Sequence, residues 1–104
     1  MLEIEIRPRA QLDLESIYLY HAATLASPQR ADKTLDGLYA SIERLAEFPT
    51  LGGIFQHEGL TNSYHHMLSG RYWAYYTFDE RVLTVWRVFH TSRDIDDFTY
   101  VEPA

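Results

Sequence analysis

Cysteine is absent from the 104 residues of this sequence. Its absence excludes a disulfide framework, a thiolate zinc site and a cysteine nucleophile. A chain without disulfides is compatible with a reducing compartment, and we expect a cytoplasmic protein.

Long hydrophobic runs are also missing. No apolar stretch approaches the roughly 18–20 residues that a membrane span requires. The first residues, Met-Leu-Glu-Ile-Glu-Ile, alternate acidic and apolar side chains, which is not the pattern of a signal peptide. We therefore expect no association with a membrane.

The sequence lacks the common motifs of enzymes. It has no glycine-rich phosphate loop, no Gly-x-Ser-x-Gly elbow and no evident pair of catalytic carboxylates. His65 and His66 are adjacent in a predicted strand, so their side chains point to opposite faces and cannot chelate one metal ion. We expect no cofactor and no metal, and we interpret His21 as a hydrogen-bonded packing residue.

Positive charge is scarce and unevenly distributed. The net charge is −6, and Lys33 is the only lysine. Residues 71–93 carry four arginines against two acids, whereas residues 94–104 carry four acids and no base. Because a phosphate backbone repels an acidic chain, we expect no tight DNA binding by this protein alone.

The first half of the chain predicts a strand and two helices. Residues 2–6 alternate with period two, as in a half-buried strand. Residues from about 9 to 24 have apolar positions at helical spacing, and Ser27-Pro28 begins a second and stronger helical pattern that Pro49 ends. The short link predicts an antiparallel hairpin whose two apolar stripes face a sheet.

The second half predicts strands at residues 62–68, 71–78 and 81–90, with a loop at 51–53 and turns at Ser69-Gly70 and Asp79-Glu80. The last strand is apolar on both faces apart from Arg87. The helices cover one face, and a partner protein is one candidate to cover the other. The predicted fold is a single α+β domain over residues 1–104: an N-terminal strand, a helical hairpin and a three-stranded antiparallel meander.

A few residues of the second half could carry chemistry. Arg71 and Arg87, on neighbouring predicted strands, could project from one face to bind a phosphate or acidic partner, or could pair with local carboxylates. His90 could transfer protons, or it could close the sheet edge through hydrogen bonds to the backbone. Trp73 and Tyr75 could stack bases, face a partner or belong to the core.

Several short segments occur in an order shared with one family. They include Asp13-Leu14 on the first helix, Phe48-Pro49 at the exit of the second, the aromatic strand 70–78, and Arg87-Val88-Phe89-His90 followed by Arg93-Asp94. The resemblance to which they belong extends over about nine-tenths of the chain. In this order and spacing they resemble the RelE/ParE superfamily of toxins from type II toxin–antitoxin systems, and more specifically its ParE branch.

The resemblance implies a helical hairpin on a curved antiparallel sheet, and a toxin that inhibits growth and stabilises plasmids. It implies a hetero-oligomer with a cognate antitoxin, ParD-like or similar, that wraps the toxin. It also implies one of two targets: RelE-like members cleave mRNA on the ribosome, whereas ParE-like members block DNA gyrase and are not known as nucleases.

Three features favour gyrase as the target. Trp73 stands where family members often have arginine, the chain is acidic, and Asp94, Asp96 and Asp97 follow His90 where they would repel a scissile phosphate. We therefore predict inhibition by protein–protein contact, through Arg71, Trp73, Tyr75, Arg87, His90 and Arg93. The alternatives are a ribosome-dependent endoribonuclease that uses Arg71, Arg87, His90 and Arg93, and an inactive partner of the antitoxin.

Overall fold

The computed structural model describes residues 1–55 and 63–92. The helices are α1 (Pro8–Leu19), which a π-helical turn (Tyr20–Thr24) extends, and α2 (Pro28–Glu47), which a 3-10 turn (Pro49–Leu51) follows. The strands are β1 (Glu3–Ile6), β2 (Gly53–Phe55), β3 (Tyr64–Ser69), β4 (Tyr72–Phe78) and β5 (Val82–His90).

The five strands form one sheet in the order β1-β5-β4-β3-β2. Strand β1 runs parallel to β5, and the other neighbours pair antiparallel. The predicted α+β fold is confirmed, with one strand more than the sequence indicated. Gly53, predicted in a loop, begins β2. The sequence did not indicate this strand, because three residues at a sheet edge are too few to show a periodic pattern.

Helix α2 begins and ends where the sequence predicts. The Ser27 hydroxyl accepts a hydrogen bond from the Arg30 amide at 3.2 Å, which satisfies one of the unpaired donors of the first turn. Pro28 occupies the first helical position, where its missing N–H costs nothing. The buried stripe consists of Ala31, Leu38, Ile42, Leu45 and Ala46.

Helix α1 ends at Leu19, before the end of the predicted helix, but the π-helical turn continues the helical backbone to Thr24. It buries Ala10, Leu14 and Ile17. After the turn, Ala26 adopts a positive φ of 51°, which reverses the chain into α2. The two helices form the expected hairpin on one face of the sheet.

The main core lies between this hairpin and the sheet. Leu14, Leu38 and Ile42 pack against Leu83 and Val85, and all five are almost fully buried. Since truncation of such a leucine to alanine costs about 2–5 kcal/mol, these contacts are a main source of the stability of the fold.

The β3–β4 turn differs from the sequence prediction by one residue. Ser69 pairs with Tyr72, so the two turn residues are Gly70 and Arg71, not Ser69 and Gly70. Gly70 has a φ of 62°, which glycine adopts without a steric penalty. Arg71, predicted in the strand, therefore lies in an exposed turn.

Candidate functional site

A cleft of about 590 Å³ lies at the end of the sheet that carries the β3–β4 turn. The hairpin turn between the helices, the N-terminal half of α2 and the last residue of β5 close its sides. Its described lining residues are Tyr20, His21, Leu25, Arg30, Lys33, Thr34, Gly37, Ser69, Gly70, Arg71, Tyr72 and His90. We call it the basic cleft.

The basic cleft concentrates positive charge. Arg30, Lys33 and Arg71 line it, and none of its described lining residues is acidic. Within residues 1–55 and 63–92, none of these three cations forms an ion pair. A protein of net charge −6 therefore has a local surface that favours an anion.

The His21 imidazole and the Tyr72 hydroxyl form part of the wall of the cleft. His21 Nε2 lies 3.0 Å from the Tyr72 hydroxyl, which confirms His21 as a hydrogen-bonded packing residue. Burial raises the pKa of Tyr72, and Tyr20 raises it further. The Tyr72 hydroxyl is therefore neutral at physiological pH and keeps its proton.

His90 lies at the end of β5 with one nitrogen already occupied. Its Nδ1 accepts a hydrogen bond from the Ser92 amide at 3.0 Å and lies 2.7 Å from the Ser92 hydroxyl. Because a backbone N–H can only donate, the neutral imidazole carries its proton on Nε2. Neutral His90 can thus donate from Nε2 but cannot accept a proton there.

Arg87 is not at the surface. Its Nε and Nη2 donate to the two carboxylate oxygens of Asp13 at 2.7 and 2.9 Å, and the Val88 amide donates to the same carboxylate at 2.9 Å. The guanidinium carbon lies 4.3 Å from the centre of the Phe89 ring, and Arg87 is only 5% exposed. Arg71 and Arg87 therefore do not share a face, and Arg87 joins β5 to α1.

A β-bulge in β5 makes this arrangement possible. Tyr75 pairs with Arg87 and Tyr76 pairs with Val85, so Trp86 is an extra residue opposite β4. The extra residue shifts the alternation, and Val85 and Val88 consequently both face the helices.

Trp73 and Tyr75 lie on the other face of the sheet. There Phe55, Tyr64, Tyr75 and Phe89 form a second buried cluster, and Tyr75 is only 3% exposed. The half-buried Trp73 ring stacks on His66, with ring centres 4.3 Å apart. These four aromatic residues are buried within the chain itself, whereas the apolar pattern of β5 suggested a partner as one candidate to cover this face.

Among the predicted contact residues that the structure describes, Arg71 and His90 alone meet in one site, the basic cleft. Arg93 lies outside the described residues. The sequence reasoning missed Arg30 and Lys33, although their spacing of three places them on one face of α2. No pattern in the sequence indicated that this face of α2 would approach the β3–β4 turn. The described residues contain no cluster of three potential metal ligands.

The sequence between residues 4 and 95 matches the model of the family described as the ParE toxin of the type II toxin–antitoxin system parDE. The chain belongs to the ParE toxin family. The match includes the segment Arg87-Val88-Phe89-His90, in which Arg87 holds Asp13 and His90 lines the basic cleft.

A solved structure from the chromosomal ParDE toxin–antitoxin system of P. aeruginosa has the same fold. The superposition has a TM-score of 0.71 and 16% sequence identity, and it covers 86% of this chain and 96% of that chain. A comparison with the curated proteins finds no match. No helix in the described part of the chain is long and apolar enough to cross a membrane.

A second depression in this ParE family member lies between α1 and the last residues of β5. Strand β1 pairs with β5 only as far as Val85, and beyond that point Asp13 of α1 accepts the Val88 amide. The groove measures about 410 Å³, and its lining includes Ser16, Tyr20 and Phe89. We call it the α1–β5 groove. Leu12 and Leu19 of α1 are 61% and 62% exposed and are two helical turns apart on one side of α1.

Proposed function

We propose that this protein inhibits DNA gyrase by protein–protein contact and that a cognate, ParD-like antitoxin neutralises it in a hetero-oligomer. The observation that carries the proposal is the match to the ParE toxin family over residues 4–95. The net charge of −6 also favours a protein target over the ribosome, because an acidic chain is repelled by ribosomal RNA.

The target contacts that we propose centre on the end of the sheet at the basic cleft. Arg71 is exposed in its turn, and His90 can donate a hydrogen bond from Nε2. The half-buried Trp73 and, by sequence, Arg93 extend this surface. Arg87 and Tyr75 have positioning roles, since both are buried and hold β5 and β4 in place.

The antitoxin, in this proposal, binds along the α1–β5 groove and covers Leu12 and Leu19. Exposed leucines beside a groove are typical of a surface that a partner buries. The groove also adjoins the basic cleft, because Tyr20, Tyr72 and His90 line both depressions. An antitoxin segment in the groove would therefore block the neighbouring target contacts.

A ribosome-dependent endoribonuclease is the second candidate function. The observation in its favour is that Arg71 and His90 share the basic cleft with Arg30 and Lys33, a charge distribution suited to a phosphate. Two contacts weigh against it. Arg87 is paired with Asp13, and the Nδ1 atom of His90, the only one that could act as a base in the neutral ring, accepts from Ser92. A third candidate is an inactive partner of the antitoxin.

Induced expression without antitoxin tests these functions, with pulse-labelling of new DNA and new protein. We expect DNA synthesis to stop first, and purified protein to inhibit supercoiling by gyrase. The double variant Arg71→Ala/His90→Ala should raise the half-inhibitory concentration at least about tenfold, since loss of a central contact residue costs about 2 kcal/mol or more. Arg81→Ala is the matched control, because Arg81 lies in the turn at the opposite end of the β4–β5 hairpin.

Other outcomes assign the other functions. An early stop in protein synthesis with cleaved mRNA would identify the ribosome as the target in place of gyrase, and unchanged growth would favour the inactive partner.

Co-expression with the antitoxin tests the α1–β5 groove as its binding site. Leu12→Glu/Leu19→Glu should stay toxic and escape neutralisation, whereas Leu68→Glu, an exposed leucine on β3, should remain neutralised.

A further inference from the structure

The basic cleft has the features of a ligand site that the inhibition of gyrase by protein contact does not require. Its volume of about 590 Å³ is within the range of small-molecule sites, roughly 300–1,000 Å³. Residues from the helical hairpin and from the sheet both line it, so the tertiary fold creates the cleft.

The cations of the cleft come from two separate parts of the chain. Arg30 and Lys33 are three residues apart on α2, and Arg71 lies in the β3–β4 turn. The serine pair Ser41–Ser69, with hydroxyl oxygens 2.7 Å apart, joins α2 to the last residue of β3 beside this turn. The three cations therefore line one cleft, although about 40 residues separate Arg71 from Arg30 and Lys33 in the sequence.

The remaining polar groups of the cleft supply hydrogen-bond donors. Neutral His90 presents its proton on Nε2, because the Ser92 amide occupies Nδ1. Thr34 adds a hydroxyl group. The described lining contains no carboxylate beside these donors and cations.

We propose that the basic cleft binds the phosphate group of a small phosphorylated ligand. Two guanidinium groups and one ammonium group match a phosphate dianion in charge, and arginine binds phosphate oxygens in a bidentate geometry. The exposed Tyr20 ring at the rim provides an apolar surface for the rest of the ligand. Binding does not depend on gyrase as the target and can be measured on the isolated chain.

Titration of the full chain with sodium phosphate, followed by amide NMR, tests the site. Sodium chloride at matched ionic strength is the reference. We expect saturable shifts at residues 30–34 and 69–72 with phosphate and none with chloride. Shifts that match those of chloride, or saturable shifts confined to other residues, would overturn the proposal.

Charge-neutral variants give the second measurement. Lys33→Gln and Arg71→Gln should each weaken phosphate binding about tenfold, the usual effect of losing one charge-assisted contact. Arg81→Gln removes the same charge at the other end of the sheet and should bind as the unchanged protein does. Equal losses in Arg71→Gln and Arg81→Gln would mean that only net charge attracts the anion, and the site would be rejected.

A nucleotide probe then separates recognition of phosphate from recognition of a ring. Adenosine monophosphate should bind and shift the same amides, and adenosine should not. If adenosine binds as tightly as its monophosphate, the phosphate group contributes nothing and the proposal fails. A circular dichroism melt of each variant confirms that the exposed substitutions leave the fold intact.

Discussion

Arg87 and Arg71 occupy contrasting regions of the same sheet. Arg87 has its charge paired with Asp13 through Nε and Nη2, and its guanidinium lies over Phe89. Arg71 lies in an exposed turn beside Arg30 and Lys33, with no carboxylate partner among the described residues. One arginine thus joins two elements of the fold from a buried position, whereas the other adds its charge to the surface of the basic cleft.

The largest effect should come from breaking the buried ion pair. Asp13→Ala leaves the Arg87 guanidinium and the Val88 amide without their acceptor, and we expect the free energy of unfolding to fall by about 3–5 kcal/mol. Urea unfolding followed by fluorescence measures it. Arg71→Ala should change stability by no more than about 0.5 kcal/mol. If the two variants lose equal stability, the contrast between the two regions is wrong.

A smaller effect should follow a change at Gly52. The Tyr76 hydroxyl donates to the Pro49 carbonyl at 2.6 Å and accepts from the Gly52 amide at 3.1 Å. A Cβ at Gly52 would collide with that hydroxyl and lie 2.7 Å from the His66 carbonyl oxygen. Gly52→Ala should therefore cost about 1–3 kcal/mol in thermal or urea unfolding.

Gly37 provides the matched control for this substitution. It lies inside α2, and a Cβ there would meet no atom within 4 Å. Gly37→Ala should stabilise the protein by about 0.5–1 kcal/mol, because alanine favours the helix. Stabilisation at both glycines would show that the Tyr76 site tolerates a methyl group.

The smallest effect should be a pH dependence of stability that comes from His66, a partly buried side chain. Burial lowers the pKa of His66 below 6.5, and His65 lowers it further. Below pH 6.5 the unfolded chain therefore binds this proton more readily than the folded chain, so stability falls as the pH falls through this range. Urea midpoints from pH 7.5 to 5.5 should decrease, and His66→Phe should decrease less. An equal decrease in both proteins would exclude His66 as a source.

Much of the fold could be predicted from local patterns. The caps and apolar stripe of α2 gave its bounds, and period-two alternation gave β1, because both signals depend on neighbouring residues. Strand β2 and the position of the β3–β4 turn depend on pairing with distant residues, and the sequence prediction missed both.

The candidate site was less predictable than the fold. Arg71 and His90 were expected on a contact surface, and they do line one cleft. Arg87 and Tyr75 belong to residue types that often make surface contacts, but both are buried. The β-bulge at Trp86 sets the alternation around Arg87, and Asp13, 74 residues away in sequence, binds its guanidinium.

The family, the helical hairpin and the acidic balance of the chain could be read without the structure, since each is encoded in residue order or composition. The burial of Arg87, the exposure of Arg71 and the grouping of three cations in one cleft arise in the folded chain. Those properties depend on contacts between α1 and β5 and between α2 and the β3–β4 turn. Local periodicity contains no information about such distant contacts.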